Sequence, residues 1–223
     1  MLDSVVLDPP TNPSMLLQVG FIALSVAVTA FFGWWSRRPA IMAGWLLLTA
    51  AMALLGWFSV ITLPPLMLVC VMVGLVSAVI WYRRGNWRRL PLKLLVGYQA
   101  YRILVELLIH QAVTEGVSPE QMTWTGLNFD MLAGITALLL FPFADRLPKW
   151  ALLLWNTVCL GLLLNVVTVG ILSLPLPIQQ FEALNGWIAF FPFHWLPMVL
   201  VVAAAMGHIA LYHRLREDRP NRV

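Results

Sequence analysis

Seven apolar runs follow one another along the chain, at about residues 15–35, 41–62, 64–82, 92–114, 129–145, 150–172 and 195–213. Each is long enough to span the roughly 30 Å of a bilayer's hydrocarbon as a helix. In lipid a backbone must satisfy its own N–H and C=O groups, so runs of this kind are predicted as α-helices. Pro39, the Pro64 and Pro65 pair, Pro91, Pro148, and the Pro175 and Pro177 pair fall between the runs, where a missing N–H costs little. With 61% hydrophobic and only 11% charged residues in 223, against roughly 25% charge in a soluble domain, no length remains for a separate soluble unit. The expected fold is all-α: a polytopic membrane protein, residues 1–223 forming a single transmembrane domain, built as a bundle of seven transmembrane helices.

Charge placement sets the expected orientation. Basic residues follow the first run (Arg37, Arg38), the third (Arg83, Arg84, Arg88, Arg89, Lys93), the fifth (Arg146, Lys149) and the seventh (Arg214, Arg216, Arg219, Arg222), which puts thirteen of the fourteen on one side. Short cytoplasmic loops collect Lys and Arg, so the amino terminus is expected outside and the carboxyl terminus inside. The net charge of +4 is thereby accounted for without a nucleic-acid partner. Asp3 and Asp8, with no Lys or Arg in the first fourteen residues, are the wrong charge for a signal-peptide n-region, and the amino terminus is expected to be retained. Asp3, Asp8, Glu115, Glu120, Asp130 and Glu182 make the outer face acidic. Trp34, Trp35, Trp81, Trp87, Trp150 and Trp195 lie near run ends, where interfacial aromatics belong. The outer link 173–194 has the alternation of a short interfacial helix, whereas 115–128 reads as loop. Cys70 and Cys159 sit in different apolar runs and read as packing residues.

The fourth run carries the least ordinary pattern. Tyr98, Gln99, Arg102, Glu106 and His110 fall within about 120° of one another at about 100° per residue. Arg102 to Glu106 and Glu106 to His110 are both i,i+4, so one carboxylate is expected to accept from a guanidinium below and an imidazole above. An ionisable group inside a membrane costs at least about 2.5–3.5 kcal/mol and survives by pairing or by facing a cavity. Two readings follow: a helix clamp with no solute, or a polar cavity open to the outside, enclosed by crossings four, six and seven. In the sixth run Thr157, Gly161, Asn165 and Thr168 form a small and polar face suited to close helix contact. In the seventh, His194 and His208 share a face with Tyr212, His208 lying at the depth of Tyr98 and Arg102. Asn128 and Asp130 open the fifth run, where capping explains at least one of them.

The candidate solute-binding residues are therefore Tyr98, Gln99, Arg102, Glu106, His110, Asn128, Asp130, Asn165, His194, His208 and Tyr212. The leading functional expectation is transport of a small polar solute or ion, with Glu106 or His110 changing protonation. An accessory or scaffold subunit of a membrane complex, or a homo-oligomer, is the alternative. A redox protein or hydrolase is the third, using a single haem b or a divalent metal at His110 and His194. No His-x-x-x-His pair of the ceramidase or adiponectin-receptor type is present, and neither Lys93 nor Lys149 sits where a retinal Schiff base would need one.

Two resemblances add to this. Phe32-Gly-Trp-Trp-Ser-Arg-Arg-Pro39 echoes Phe141-Pro-Phe-Ala-Asp-Arg-Leu-Pro148, Thr62-Leu-Pro64 echoes Ser173-Leu-Pro175, and Tyr82-Arg-Arg84 echoes Tyr212-His-Arg214. Residues 15–82 and 129–213 thus resemble a weak duplication around 92–114, the three-plus-one-plus-three plan of the SWEET sugar transporters; the Pro-Gln dipeptide of the wider PQ-loop group is absent. Tyr101-Arg-x-x-x-Glu106, Met122-Thr-x-x-Gly-Leu-Asn-Phe-Asp130, Phe191-Pro-Phe-His-Trp-Leu-Pro197 and His208 together resemble a family of bacterial seven-helix membrane proteins over about residues 95–215. That resemblance implies a multi-pass bacterial inner-membrane location and marks Arg102, Glu106, Asn128, Asp130 and His208 for testing. It implies no activity.

Overall fold

Long apolar stretches free of interior Pro become helices, and the computed structural model, which describes residues 5–61, 65–84 and 90–217, is 73% helix. The helices are α1 (Met15–Ser36), α2 (Pro39–Leu54), α3 (Leu66–Arg84), α4 (Leu92–Gly97), α5 (Tyr101–Thr114), α6 (Met131–Leu140), α7 (Lys149–Leu172) and α8 (Val202–Glu217). A π turn, Leu196–Val201, leads directly into α8. Among the described residues three segments are long and apolar enough to cross a membrane: Met15–Ser36, Lys149–Leu172 and Leu196–Arg216. Pro39–Leu54 and Leu66–Ile80 are shorter apolar helices. Asp3, Thr62, Pro64, Trp87, Arg88, Arg89, Arg219, Arg222 and the side chain of Trp81 lie outside the described residues.

The fourth and fifth apolar runs depart from one uniform α-helix each. A 3₁₀ turn at Tyr98–Ala100 joins α4 to α5, and another at Phe141–Arg146, with Pro142 near its start, extends α6. The second run is expected to reach residue 62, yet α2 stops at Leu54. Gly56 adopts φ 74°, its N–H donates to Ala53 O at 3.0 Å, and that of Trp57 donates to Met52 O at 3.0 Å. This is a Schellman ending, which consumes the last free carbonyls. Gly116 (φ 69°) ends α5 in the same manner, and so does Arg37 (φ 56°) at the end of α1, without the glycine that would make the turn visible in sequence.

Past the α2 ending, β2 (Val60–Ile61) pairs antiparallel with β1 (Val5–Val6). This small ladder corrects the purely α expectation; β-branched residues at all four positions suit it. The link 173–194 is not a surface helix. It folds through turns and a 3₁₀ segment, Gly186–Ala189, whose Trp187, Ile188 and Ala189 are buried. There Trp187 and Phe193 pack edge-on to Phe21 of α1, with centroids 5.6 and 5.4 Å away. Trp34 and Trp150 are exposed, as interfacial residues should be, but Trp35 and Trp195 are core residues. Trp195 donates its indole N–H to Thr49 Oγ1 at 3.2 Å, which a residue facing lipid headgroups would not need to do. Of the echoed segments, Pro39 starts α2 and Pro148 caps α7, but the preceding backbone is α-helical in one and 3₁₀ in the other.

The start of α1 is tied to the end of α5. Ser14 caps α1, accepting from Leu17 N at 3.2 Å, while its own N–H and hydroxyl donate to Glu115 at 2.8 and 2.5 Å. Gln111 adds a third donor at 2.7 Å. Partial burial pushes the Glu115 carboxyl up, but these donors outweigh it and hold its pKa below the ordinary 4.5. A lowered carboxylate pKa stabilises the fold above the unfolded-state value and ceases to do so as pH falls through the folded-state value. Glu115→Gln is therefore expected to lower the melting temperature at pH 7. It should also flatten the loss of stability that the wild type shows below about pH 4.5, as measured by thermal unfolding across pH.

Candidate functional site

The centre of the molecule is a network of ionic and amide groups held by four segments. Arg102 and Glu106 of α5 are each 1% exposed. Arg102 Nε donates to Asp130 Oδ2 at 2.6 Å, and its Nη2 forms an ion pair with Asp130 Oδ1. Nη2 also donates to the Cys159 carbonyl of α7 at 3.4 Å, and Nη1 lies 3.0 Å from His208 Nε2 of α8. A guanidinium only donates, so His208 Nε2 is the acceptor and the ring proton sits on Nδ1. Nδ1 is 2.8 Å from Asn156 Oδ1, and Asn156 Nδ2 donates to the His208 carbonyl at 3.2 Å. Asn156 thus fixes the tautomer that Arg102 requires.

Glu106 is not the partner of Arg102 that the i,i+4 spacing predicts. Its two oxygens accept from Asn128 Nδ2, at 2.8 and 2.9 Å. The same amide nitrogen reaches the Met122 carbonyl at 2.9 Å, while Asn128 Oδ1 accepts from the Asp130 N–H at 2.9 Å. Asn128 therefore shapes the turn before α6, and the Asp130 side chain is free of any capping bond and directed to Arg102. The exchange of partner has a packing cause. A Cβ on Gly134 of α6 would stand 2.8 Å from Ile103 N, so α6 rides directly on the α5 backbone and delivers Asp130 to the guanidinium.

The rest of the stripe divides. Tyr98 and Tyr101 hydroxyls donate to Ala203 O and Leu200 O, each at 2.5 Å, and Gln99 Nε2 donates to Ala204 O at 3.2 Å. These carbonyls lie where the π turn gives way to α8, a place where regular i→i−4 bonding is interrupted. Trp45 of α2 takes a further one, Met198 O, at 3.2 Å. His110 turns outward, stacks on Trp124 with centroids 4.2 Å apart, and has Thr123 Oγ1 3.4 Å from Nδ1. His194 is fully buried among the rings of Phe58, Phe191 and Trp195. Neither ring nitrogen of His194 has a hydrogen-bond partner among the described residues. Asn165 donates to Leu127 O at 2.7 Å, and the Tyr212 hydroxyl is 2.6 Å from Thr157 Oγ1; both are helix-to-neighbour ties outside the network. Gly161 meets nothing within 4 Å where a Cβ would stand, so it does not provide the close approach expected of that face.

Asn156, which holds the His208 ring, and Tyr101, which lies beside Arg102, are not among the candidate residues drawn from the sequence. An uncharged amide inside an apolar run was the available signal for Asn156, since lipid-facing amides are costly. Tyr101 lies off the stripe as drawn on a regular helix; the 3₁₀ turn before it rotates the register.

Beside the network is a cavity of about 100 Å³. Tyr101, Arg102, Glu106, Asp130 and Asn185 supply its polar groups, and mainly aliphatic residues of α3, α5, α7 and the π turn form the rest. The expected polar cavity is thus largely apolar, and α3 joins its wall. Among the described residues no group of three or more His, Cys, Asp or Glu side chains is arranged to hold a metal ion. The chain matches no protein-family model, no curated protein and no solved structure.

Proposed function

We propose that the protein is a seven-crossing protein of a bacterial inner membrane, amino terminus outside and carboxyl terminus inside, that binds a small solute at Glu106 and carries it across the bilayer. The alternation of basic loops supports the orientation. The observation that carries the functional reading is the position of Glu106, a buried carboxylate in the wall of the cavity. Among the described residues its donors come from Asn128 alone. A carboxylate offers about four acceptor sites, so capacity remains for a solute that donates a hydrogen bond or carries positive charge. Arg102, in contrast, spends four of its five N–H donors on Asp130, His208 and Cys159. Its role is to position α6, α7 and α8 around the site.

The test is thermal unfolding of purified protein in the presence of glycerol, ethanolamine, sodium, potassium, tetramethylammonium, and medium-chain alcohols and amines. At a hundredfold excess over Kd, one of these classes is expected to raise the midpoint by roughly 5–10 °C, and Glu106→Gln is expected to abolish the shift. Equal shifts in wild type and Glu106→Gln, or none in either, would exclude Glu106 as the binding group. Co-purification with a fixed partner, unaffected by that substitution, would then favour an accessory subunit.

A further inference from the structure

We infer that the occupant of the cavity is a membrane-soluble amphiphile with an aliphatic tail and a hydroxyl or amino head, admitted sideways from the bilayer between α3 and α7. The inference rests on Glu106 being the binding group proposed above, and it names the class of molecule bound there.

Three features carry it. The first is the wall: apart from Tyr101, Arg102, Glu106, Asp130 and Asn185, the cavity is bounded mainly by Met, Leu, Val and Ile side chains. Such a surface offers a small polar solute nothing in exchange for its hydration, while it favours an alkyl chain by about 0.8 kcal/mol per buried CH₂. The second is the opening. Leu68 and Val71 of α3, Val167 and Ile171 of α7, and Val201 line the cavity yet remain partly exposed. The helices α3 and α7 each pack extensively on α8, and no contact of that extent joins α3 to α7 among the described residues. In a bilayer this gap faces acyl chains, so a tail longer than the cavity continues into lipid without a polar barrier.

The third feature is the state of the polar groups. Four of the five N–H donors of Arg102 are committed to protein acceptors, two of them to Asp130, which neutralises its charge. The ionic group that faces the cavity with unspent capacity is an acceptor, the Glu106 carboxylate, joined by the Tyr101 side chain and by the neutral amide of Asn185, whose Oδ1 accepts from the Trp187 indole N–H. A hydroxyl or ammonium head satisfies an acceptor. A carboxylate or phosphate head meets the like charge of Glu106 and a guanidinium whose charge is already paired with Asp130, a mismatch that costs more in a poorly solvated site than in water.

The experiment is native mass spectrometry of the full-length protein incubated with decan-1-ol, decylamine, decanoate, glycerol or ethanolamine at matched free concentration. One decanol or decylamine per chain is expected on the wild type, with at least about tenfold less decanoate. Val167→Trp, which fills the cavity from α7 without touching the network, should reduce decanol and decylamine binding at least about tenfold. Gly170→Leu, aimed into the same space, serves if the tryptophan variant does not fold. Glu106→Gln should weaken decylamine about tenfold while leaving the aliphatic wall unchanged. Decanoate binding equal to that of decanol, or decyl adducts insensitive to both cavity-filling changes, would overturn the inference. Adducts of glycerol or ethanolamine that are lost in Glu106→Gln, without decyl adducts, would overturn the amphiphile and leave Glu106 as the binding group. No adduct of any probe would overturn both.

Discussion

Replacing Arg102 with methionine is expected to destabilise the protein by about 3–5 kcal/mol, the cost of stranding one member of a buried ion pair. The guanidinium is 1% exposed, is paired to Asp130, and bonds His208 and the Cys159 carbonyl, so its loss leaves a carboxylate, a ring nitrogen and a carbonyl without their donor. Asp130→Asn should carry a penalty of similar order, because the positive charge then lacks its counter-ion. The double variant is the discriminating measurement. With both charges gone, no ion is left unpaired in a water-poor interior, and at least half of the single-variant loss is expected to be recovered. Unfolding midpoints of the four proteins in one detergent give the coupling. Additive losses would mean that Arg102 is stabilised by some group other than Asp130, and changes below about 0.5 kcal/mol in either single variant would mean that the pair is solvated.

Gly134→Ala is expected to cost about 1–3 kcal/mol, while Gly161→Ala, a chemically identical change in another apolar helix, is expected to be neutral or slightly stabilising. The difference is geometric. At Gly134 a Cβ would stand 2.8 Å from a backbone nitrogen of α5, which no side-chain rotation relieves, whereas at Gly161 nothing lies within 4 Å. Lifting α6 off α5 also withdraws Asp130 and Asn128 together. Gly134→Ala should therefore weaken solute-dependent stabilisation through Glu106 as well as stability. If both substitutions behave alike in thermal unfolding, the α5–α6 contact is not as close as described.

The helices were legible because their signal is local. Pro39 acts on the backbone within a turn of itself and starts α2, whereas the expected second run reads straight through Gly56, whose left-handed conformation ends that helix. Where the same local chemistry gave no distinctive residue, the reading missed: Arg37 ends α1 in a left-handed conformation that nothing in its side chain announces. Val60 and Ile61 are as apolar as the run before them, so the change from helix to ladder after Gly56 left no trace in hydropathy. Within the site, the stripe of α5 was found by helical spacing alone, and so was the correct depth of His208. The Arg102 to Glu106 contact was inferred from the same spacing and is replaced by Arg102 to Asp130. An i,i+4 neighbour is close only in the absence of a better placed competitor, and a competitor on another helix is invisible to periodicity.

From local pattern alone the chain reads as helical and compatible with lipid, with ionisable groups on one face of its fourth apolar run. Run length, hydropathy and 3.6-residue periodicity are properties of consecutive residues and need no knowledge of neighbours. Which groups meet depends on how the helices pack: Asp130 rather than Glu106 at the guanidinium, Asn156 behind His208, and Asn128 on Glu106. The same packing walls the space beside them with aliphatic side chains of α3 and α7. The physical reason is that pairing in a medium of low dielectric goes to whichever partner the close approach of backbones delivers, and that approach is set at positions such as Gly134, by what stands opposite the missing side chain.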